Sequence, residues 1–185
     1  YDYSNYSLID GYDGVIVEEY DFSISHEEAV SLNAFANSGR PILMGMDDLD
    51  DEPESVKQLL FPIFGIQATY DGGYFWGALN PNNPITKGLT KVYSYNDGDN
   101  DWYLPSTADW IYAGNDGNYY GVSNEGQNRT VLMGEYLSVI WELGNSHLIA
   151  NGINWMMESA RWLSVAPDTG IISVNNSAIH DVMFD

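Results

Sequence analysis

Apolar and polar positions along the first fifty residues fall into a pattern that predicts strand, helix and strand. Residues 13–18, DGVIVE, form a short apolar run after a turn signal and read as a buried strand. Ser25 stands three residues before Glu28, the spacing of a capping box that opens a helix. Ala29, Leu32, Ala34, Phe35 and Ala36 give that helix an apolar face, and Gly39 follows as its C-cap. RPILMGM (40–46) reads as a second buried strand. Strand, capped helix and strand in close succession make a βαβ unit, which implies parallel pairing and a right-handed crossover.

Beyond Met46 the texture changes. DDLDDEPE (47–54) is an acidic loop at the carboxyl end of the second strand, and VKQLLFPIFGI (56–66) begins as a helix that Pro62 and Gly65 stop. Residues 67–130 carry many Gly, Asn and aromatic residues in short alternating runs. ATYDGGYFWGAL (68–79) predicts one hairpin, and DWIYAGNDGNYYGVSNEG (109–126), with its NDG turn, predicts another. NRTVLMGEY (128–136) reads as a strand, and LSVIWEL (137–143) as its continuation or an extra strand. Leu148, Ile149, Ile153, Trp155, Met156 and Met157 support a final helix. The tail, residues 162–185, alternates around PDTG and NNS turns like two strands of an antiparallel sandwich, too short to stand alone. Residues 1–160 are therefore expected to form one α/β domain, and 161–185 the start of a neighbouring β module.

Charge narrows the function classes. Among 185 residues, 27 Asp and Glu face 6 Lys and Arg, a net charge of −21. Nucleic-acid binding needs clustered basic side chains to displace counterions, and docking on an anionic membrane needs them too. Charged residues are only 18% of the chain, so the acidity reflects missing basic residues more than acidic runs. At 44% hydrophobic and 14% aromatic, the composition supports a sizeable core. No apolar stretch approaches the ~20 residues of a membrane-spanning helix. With no cysteine, disulfides, thiolate metal sites and thiol nucleophiles are excluded. Abundant Tyr, Gly and Asn with few lysines suit an extracellular or cell-surface domain, and N-x-S/T sequons start at Asn5, Asn128 and Asn175. The chain begins at Tyr1 and reads as a piece of something longer.

The order YDGVIVEE, helix, SGRPILMG, an irregular insertion with Asn83-Pro84-Ile85-Thr86-Lys87-Gly88-Leu89, then TVLMGE and Leu148 through Trp155 resembles a known family. It is similar to the class I glutamine amidotransferase-like superfamily, in particular its ThuA-like and non-catalytic branches, over residues 10–160. The resemblance implies a flavodoxin-like three-layer α/β domain: a mainly parallel sheet, an aromatic-rich irregular or β insertion, and a C-terminal β extension. It also implies a first strand before Tyr12, where YDYSNYSLID is a poor match. Amidotransferase chemistry needs a Cys after the strand matching PILMGM, and Met46 stands near that place. A thioether cannot become a nucleophile. His147 matches the family's histidine before the last helix and, with no thiol to activate, reads as structural. The tail WLSVAPDTGIISVNNSAI resembles the opening of Ig-like modules of bacterial surface proteins and secreted proteases.

Three constellations have two readings each. Asp47, Asp48, Asp50, Asp51, Glu52 and Glu54 could hold a hard cation beyond the strand ends, or simply solvate the start of the next helix. Asp97, Asp99 and Asp101 alternate as in the first ligand positions of an EF-hand-type calcium loop. Trp102 replaces the loop glycine there and the bidentate anchor is missing, so a plain polar turn is the other reading. The insertion's aromatic residues form a carbohydrate-binding face or a small core of their own. His26, His147 and His180 have no Gly-x-Ser-x-Gly elbow to serve. The function expected is therefore a non-catalytic accessory or interaction domain of a secreted or surface multidomain protein. Its partners would be the parent chain's other domains, with carbohydrate or protein as further ligands, and calcium as the one cofactor raised. The alternatives are a carbohydrate-processing or carbohydrate-binding domain using carboxylates at the sheet's C-terminal edge, and an accessory region of a secreted protease.

Overall fold

Strand β1 (Val15–Glu18) pairs in parallel with β2 (Ile42–Gly45), and α2 (His26–Asn37) connects them. The capping box is formed: the Glu28 amide donates to Ser25 Oγ at 3.2 Å, and the Ser25 amide donates to Glu28 Oε2 at 2.9 Å. A computed structural model describes residues 4–18, 23–72, 77–93, 100–126 and 128–159. The tail assigned to a β module, the sequon at Asn175, and Asp97 and Asp99 lie outside them.

The remaining elements are α1 (Tyr6–Ile9), α3 (Glu54–Phe64), β3 (Ile66–Asp71), β4 (Ala78–Leu79), β5 (Asp101–Pro105), β6 (Asp109–Ala113), β7 (Tyr119–Glu125), β8 (Arg129–Met133), α4 (Leu137–Ile140) and α5 (Ser146–Ser159). Among the described residues these strands form one eight-stranded mixed sheet, ordered β1-β2-β8-β7-β5-β3, with β6 pairing β7 and β4. The α/β, flavodoxin-like class expected from the sequence is the one observed. Its parallel part is β1-β2-β8, and the insertion continues the sheet with antiparallel pairs.

Two-residue periodicity builds the layers. Ile42, Met44 and Leu132 point to one face, where Leu32, Phe35 and Ala36 of α2 and Val56, Leu60 and Phe64 of α3 cover them. Leu43, Val131 and Met133 point to the other, under Leu148, Ile149, Trp155 and Met156 of α5. Burial on both faces explains why PILMGM and TVLM are continuous apolar runs. Of the insertion's aromatics, Tyr103, Tyr112 and Tyr120 are fully buried. Tyr70 stacks on its cross-strand partner Trp102, ring centroids 4.4 Å apart, and is itself exposed.

Three local expectations are corrected. Residues 68–79 make no hairpin, because β3 pairs with β5 and β4 with β6. Pro62 does not stop α3: it and Gln58, whose carbonyl it leaves without an amide donor, lie on the exposed side. The helix runs to Gly65, left-handed at φ 65°, whose carbonyl accepts the Ser106, Thr107 and Ala108 amides. LSVIWEL is helical turn, not strand. Leu137 and Ile140 are buried at a spacing of three, and Gly144 at φ 87° ends the turn.

The N-terminal segment, where the resemblance implied a strand, forms the short helix α1. It is held by Arg40, whose Nη2 contacts Asp10 Oδ1 at 2.7 Å and whose guanidinium lies 4.2 Å from the Phe35 ring centre. The same group donates to the Asp10 carbonyl and the Tyr6 hydroxyl. Arg40, through these bonds, also holds the Asp10 carboxyl below its ordinary range. Arg40→Ala is expected to release residues 4–12 alone. In hydrogen exchange their amides should lose protection while those of β2 and β8 keep theirs. Loss spread equally over both regions would refute the local role.

Candidate functional site

Strands β2 and β8 run parallel, so both deliver their following residues to one edge of the sheet, where open α/β sheets bind ligands. β2 leads into Met46 and Asp47, and β8 into Gly134 and Glu135. Met46 is buried; its amide donates to the Met133 carbonyl at 3.0 Å, and its carbonyl accepts the Tyr103 hydroxyl at 3.3 Å. Asp47 and Glu135 are buried too, a burial more usual for a paired or protonated acid.

Gly134 lets a third strand arrive here. A Cβ on it would lie 2.0 Å from the Asp101 carbonyl oxygen, so the first residue of β5 crosses the end of β8 in direct backbone contact. Asp101 is thereby fully buried. Its Oδ2 accepts the Thr69 hydroxyl and the Asp50 amide, each at 3.0 Å. Asp50 Oδ2 in turn accepts the Asp71 amide at 2.9 Å, and Lys57 Nζ donates to the Asp50 carbonyl. Glu52 Oε1 accepts the Ile24 amide, tying the far end of the same loop to the start of α2.

Among the described residues the two acidic stretches thus meet at Asp50 and Asp101. Asp47 is buried beside the strand ends, whereas Asp48 and Asp51 are exposed. Burial, and secondarily the charge of Asp50, pushes the Asp101 carboxyl up to about 9, so at neutral pH it carries a proton. Burial also raises Glu52, and it raises the Tyr103 phenol, near Asp101, Asp47 and Glu135. Among the described residues no group of three or more His, Asp or Glu is arranged to hold a metal ion. His26 and His147 are exposed on α2 and α5.

Glu135 and Thr69 were not anticipated from sequence, and Tyr103 only as one of the insertion's aromatic residues. Glu135 had a signal, since it follows β8 as Asp47 follows β2. Thr69 and Tyr103 had none, because their place depends on the β3–β5 pairing.

The resemblance-bearing motifs prove to be scaffolding. Asn83 caps a 3₁₀ turn, Pro84–Thr86, and donates to the Trp110 carbonyl and Ser123 Oγ. Asn151, in the motif that runs from Leu148 to Trp155, donates to the Ile85 and Lys87 carbonyls at 2.8 and 3.1 Å. The two motifs therefore clasp each other across the α5 face. A groove of about 450 Å³ lies at the amino end of β8, lined by Asn33, Asn37, Asn124 and Asn128 among others. The side-chain amide groups of these four donate within the protein, Asn33 to the Leu59 carbonyl and Asn128 to that of Arg40.

No protein-family model matches this chain, and no curated protein is similar to it. Solved structures share its fold. A ThuA-like protein of Bacteroides uniformis is 14% identical, with a TM-score of 0.53 over 84% of this chain and 74% of that one. A cytoplasmic protein of Salmonella typhimurium is 12% identical, with a TM-score of 0.53 over 83% and 75%. The cold-adapted β-galactosidase of Rahnella sp. R3 is 14% identical, with a TM-score of 0.51 over 78% of this chain and 23% of that one. The chain spans about a quarter of the glycosidase chains it matches. Its α/β fold is thus one that it shares with the ThuA-like protein and with cytoplasmic proteins of Salmonella typhimurium.

Proposed function

We propose that this chain is a non-catalytic accessory domain of an exported multidomain protein, spacing or holding its neighbours. The observation that carries this reading is the end of β2. At the place where an amidotransferase needs a thiol, Met46 is packed into the core with both its backbone groups bonded. The finer resemblance belongs to the same reading: a non-catalytic ThuA-like branch, followed by the start of an Ig-like module. The Rahnella β-galactosidase supports it as well, since there this fold is about a quarter of a longer chain.

A carbohydrate-processing role is the second reading, and one observation favours it. Asp101 is buried at the sheet's carboxyl edge and accepts the Asp50 amide, and that burial, with the charge of Asp50, holds its carboxyl well above the ordinary range, the condition that a general acid needs.

A turnover screen with glutamine, aryl esters and aryl glycosides separates the two. The purified chain is expected to match its Asp50→Asn/Asp101→Asn double variant on every substrate. Turnover that the double variant loses would replace the accessory reading with the catalytic one. Fractionation of the source cells tests export, and recovery of the protein in the cytosol would overturn it.

A further inference from the structure

We propose that the free edge of β1 is the docking site of the chain's own tail, and that residues 170–174 add to it as one further parallel strand. Among the described residues β1 pairs only with β2 and ends the sheet. The Val15 amide donates to the Pro41 carbonyl at 3.1 Å, so by the alternation of a parallel ladder the amides and carbonyls of Ile16 and Glu18 point to the open side. Backbone groups left unpaired in this way are a template for another strand. Parallel sheets are also covered on both faces, yet Ile16 is 56% exposed. Its partner Leu43 lies under α5, which packs on β2 and β8 and leaves Ile16 uncovered.

The path of α5 selects the occupant. The helix follows β8 and returns to the amino end of the sheet. There the Trp155 carbonyl accepts from Arg129, the first residue of β8, and Met157 Sδ lies 3.6 Å from where a Cβ on Gly14 would stand. Gly14 immediately precedes β1, so the chain leaves α5 at Ser159 beside the start of the free edge. Handedness agrees. α2 carries the chain from β1 to β2 over one face, and α5 heads from β8 toward β1 over the other. Reversing direction and face together preserves the hand, so a strand beyond β1 completes a crossover of the same right hand.

Gly170-Ile171-Ile172-Ser173-Val174 is the β-branched run between the PDTG and NNS turns of the tail. Ile171 and Ile172 are consecutive and face opposite sides of a strand, which sets one on the Ile16 side of the sheet and the other on the Val17 side. A second copy of the chain is the poorer occupant, because each copy carries a net charge of −21. The domain boundary drawn at residue 160 then moves past Val174.

The test is amide hydrogen exchange of the full chain, read residue by residue. The Ile16 and Glu18 amides should be slowed on the order of a hundredfold relative to unpaired amides, and Ile171→Pro/Ile172→Pro should abolish that protection. Two consecutive prolines are used because neighbouring amides point to opposite sides of a strand, so one of the two must face β1. Val15 and Val17, on the side of β2, should stay protected in both chains. Ile16 and Glu18 exchanging in the native chain as unpaired amides do would overturn the proposal. Protection that survives the prolines would overturn it as well: its loss on dilution would identify a second copy, and its persistence a different segment. Should the double variant misfold, the chain has no cysteine, so Ser173→Cys gives a single place for a nitroxide. That label should broaden the amide signals of β1 before those of β3 at the far edge of the sheet, and the reverse order would refute the docking.

Discussion

Gly134→Ala should cost the fold about 3 kcal/mol or more, measured as a lowered denaturant midpoint at unchanged slope. The added methyl group would sit 2.0 Å from the Asp101 carbonyl oxygen, 3.0 Å from its carbon and 3.1 Å from the Tyr120 carbonyl oxygen. All three atoms are backbone, so no side chain can turn aside to make room. Relief requires either that β5 lift from the end of β8, dragging Asp101 from its pocket, or that Gly134 move off and give up its amide bond to the Tyr120 carbonyl of β7. Gly11→Ala is the control: nothing lies within 4 Å of its Cβ position, and a change within about 0.5 kcal/mol is expected. Equal behaviour of the two variants would show that the contact at the strand ends is not tight.

The second large effect is on the pH dependence of global stability. Asp101 has an ordinary pKa of 3.8 and is held at about 9 in the folded chain. Between those values the folded state binds a proton that the unfolded state has lost, so its contribution falls as pH rises. It is fully present below 3.8, diminishes across the neutral range and is exhausted above about 9. Asn in this position keeps the shape of the protonated acid and never ionises. Asp101→Asn should therefore be more stable than the native chain by on the order of 4 kcal/mol at pH 7, and close to equal with it near pH 4. Urea unfolding of both proteins at several pH values gives the difference directly. A gap that does not widen between pH 5 and pH 8 would mean that Asp101 is ionised when folded.

How legible these features were depends on the range over which their causes act. The capping box at Ser25 and Glu28, the βαβ unit and the hairpin between β6 and β7 could all be read from the sequence. Each is set by neighbours a few residues apart: a side chain capping an amide, or Gly117 at φ 84° turning the hairpin. The βαβ unit adds only the apolar runs on either side of one helix. Where local pattern misled, a distant partner had decided the matter. YDGG offered a hairpin turn, but Tyr70 found Trp102 across the sheet instead. Pro62 should have ended a helix, yet the turn it disturbs faces outward and the true stop is Gly65, tied to residues 106–108.

The sequence by itself determined the α/β layering, the absence of a thiol nucleophile at Met46 and the acidic character of the strand-end loop. These follow from periodicity and residue type, which need no partner to be defined. Only the tertiary structure decided that Asp50, in one acidic stretch, would share a site with Asp101, in the other. It also decided that Asn151 would clasp the turn Pro84–Thr86. Those pairings join residues 51 and 66 positions apart along the chain, through β5 crossing the end of β8 and α5 lying over the insertion. The protonation of Asp101 has the same origin, because burial and the nearness of another acid are properties of the folded site and not of an aspartate.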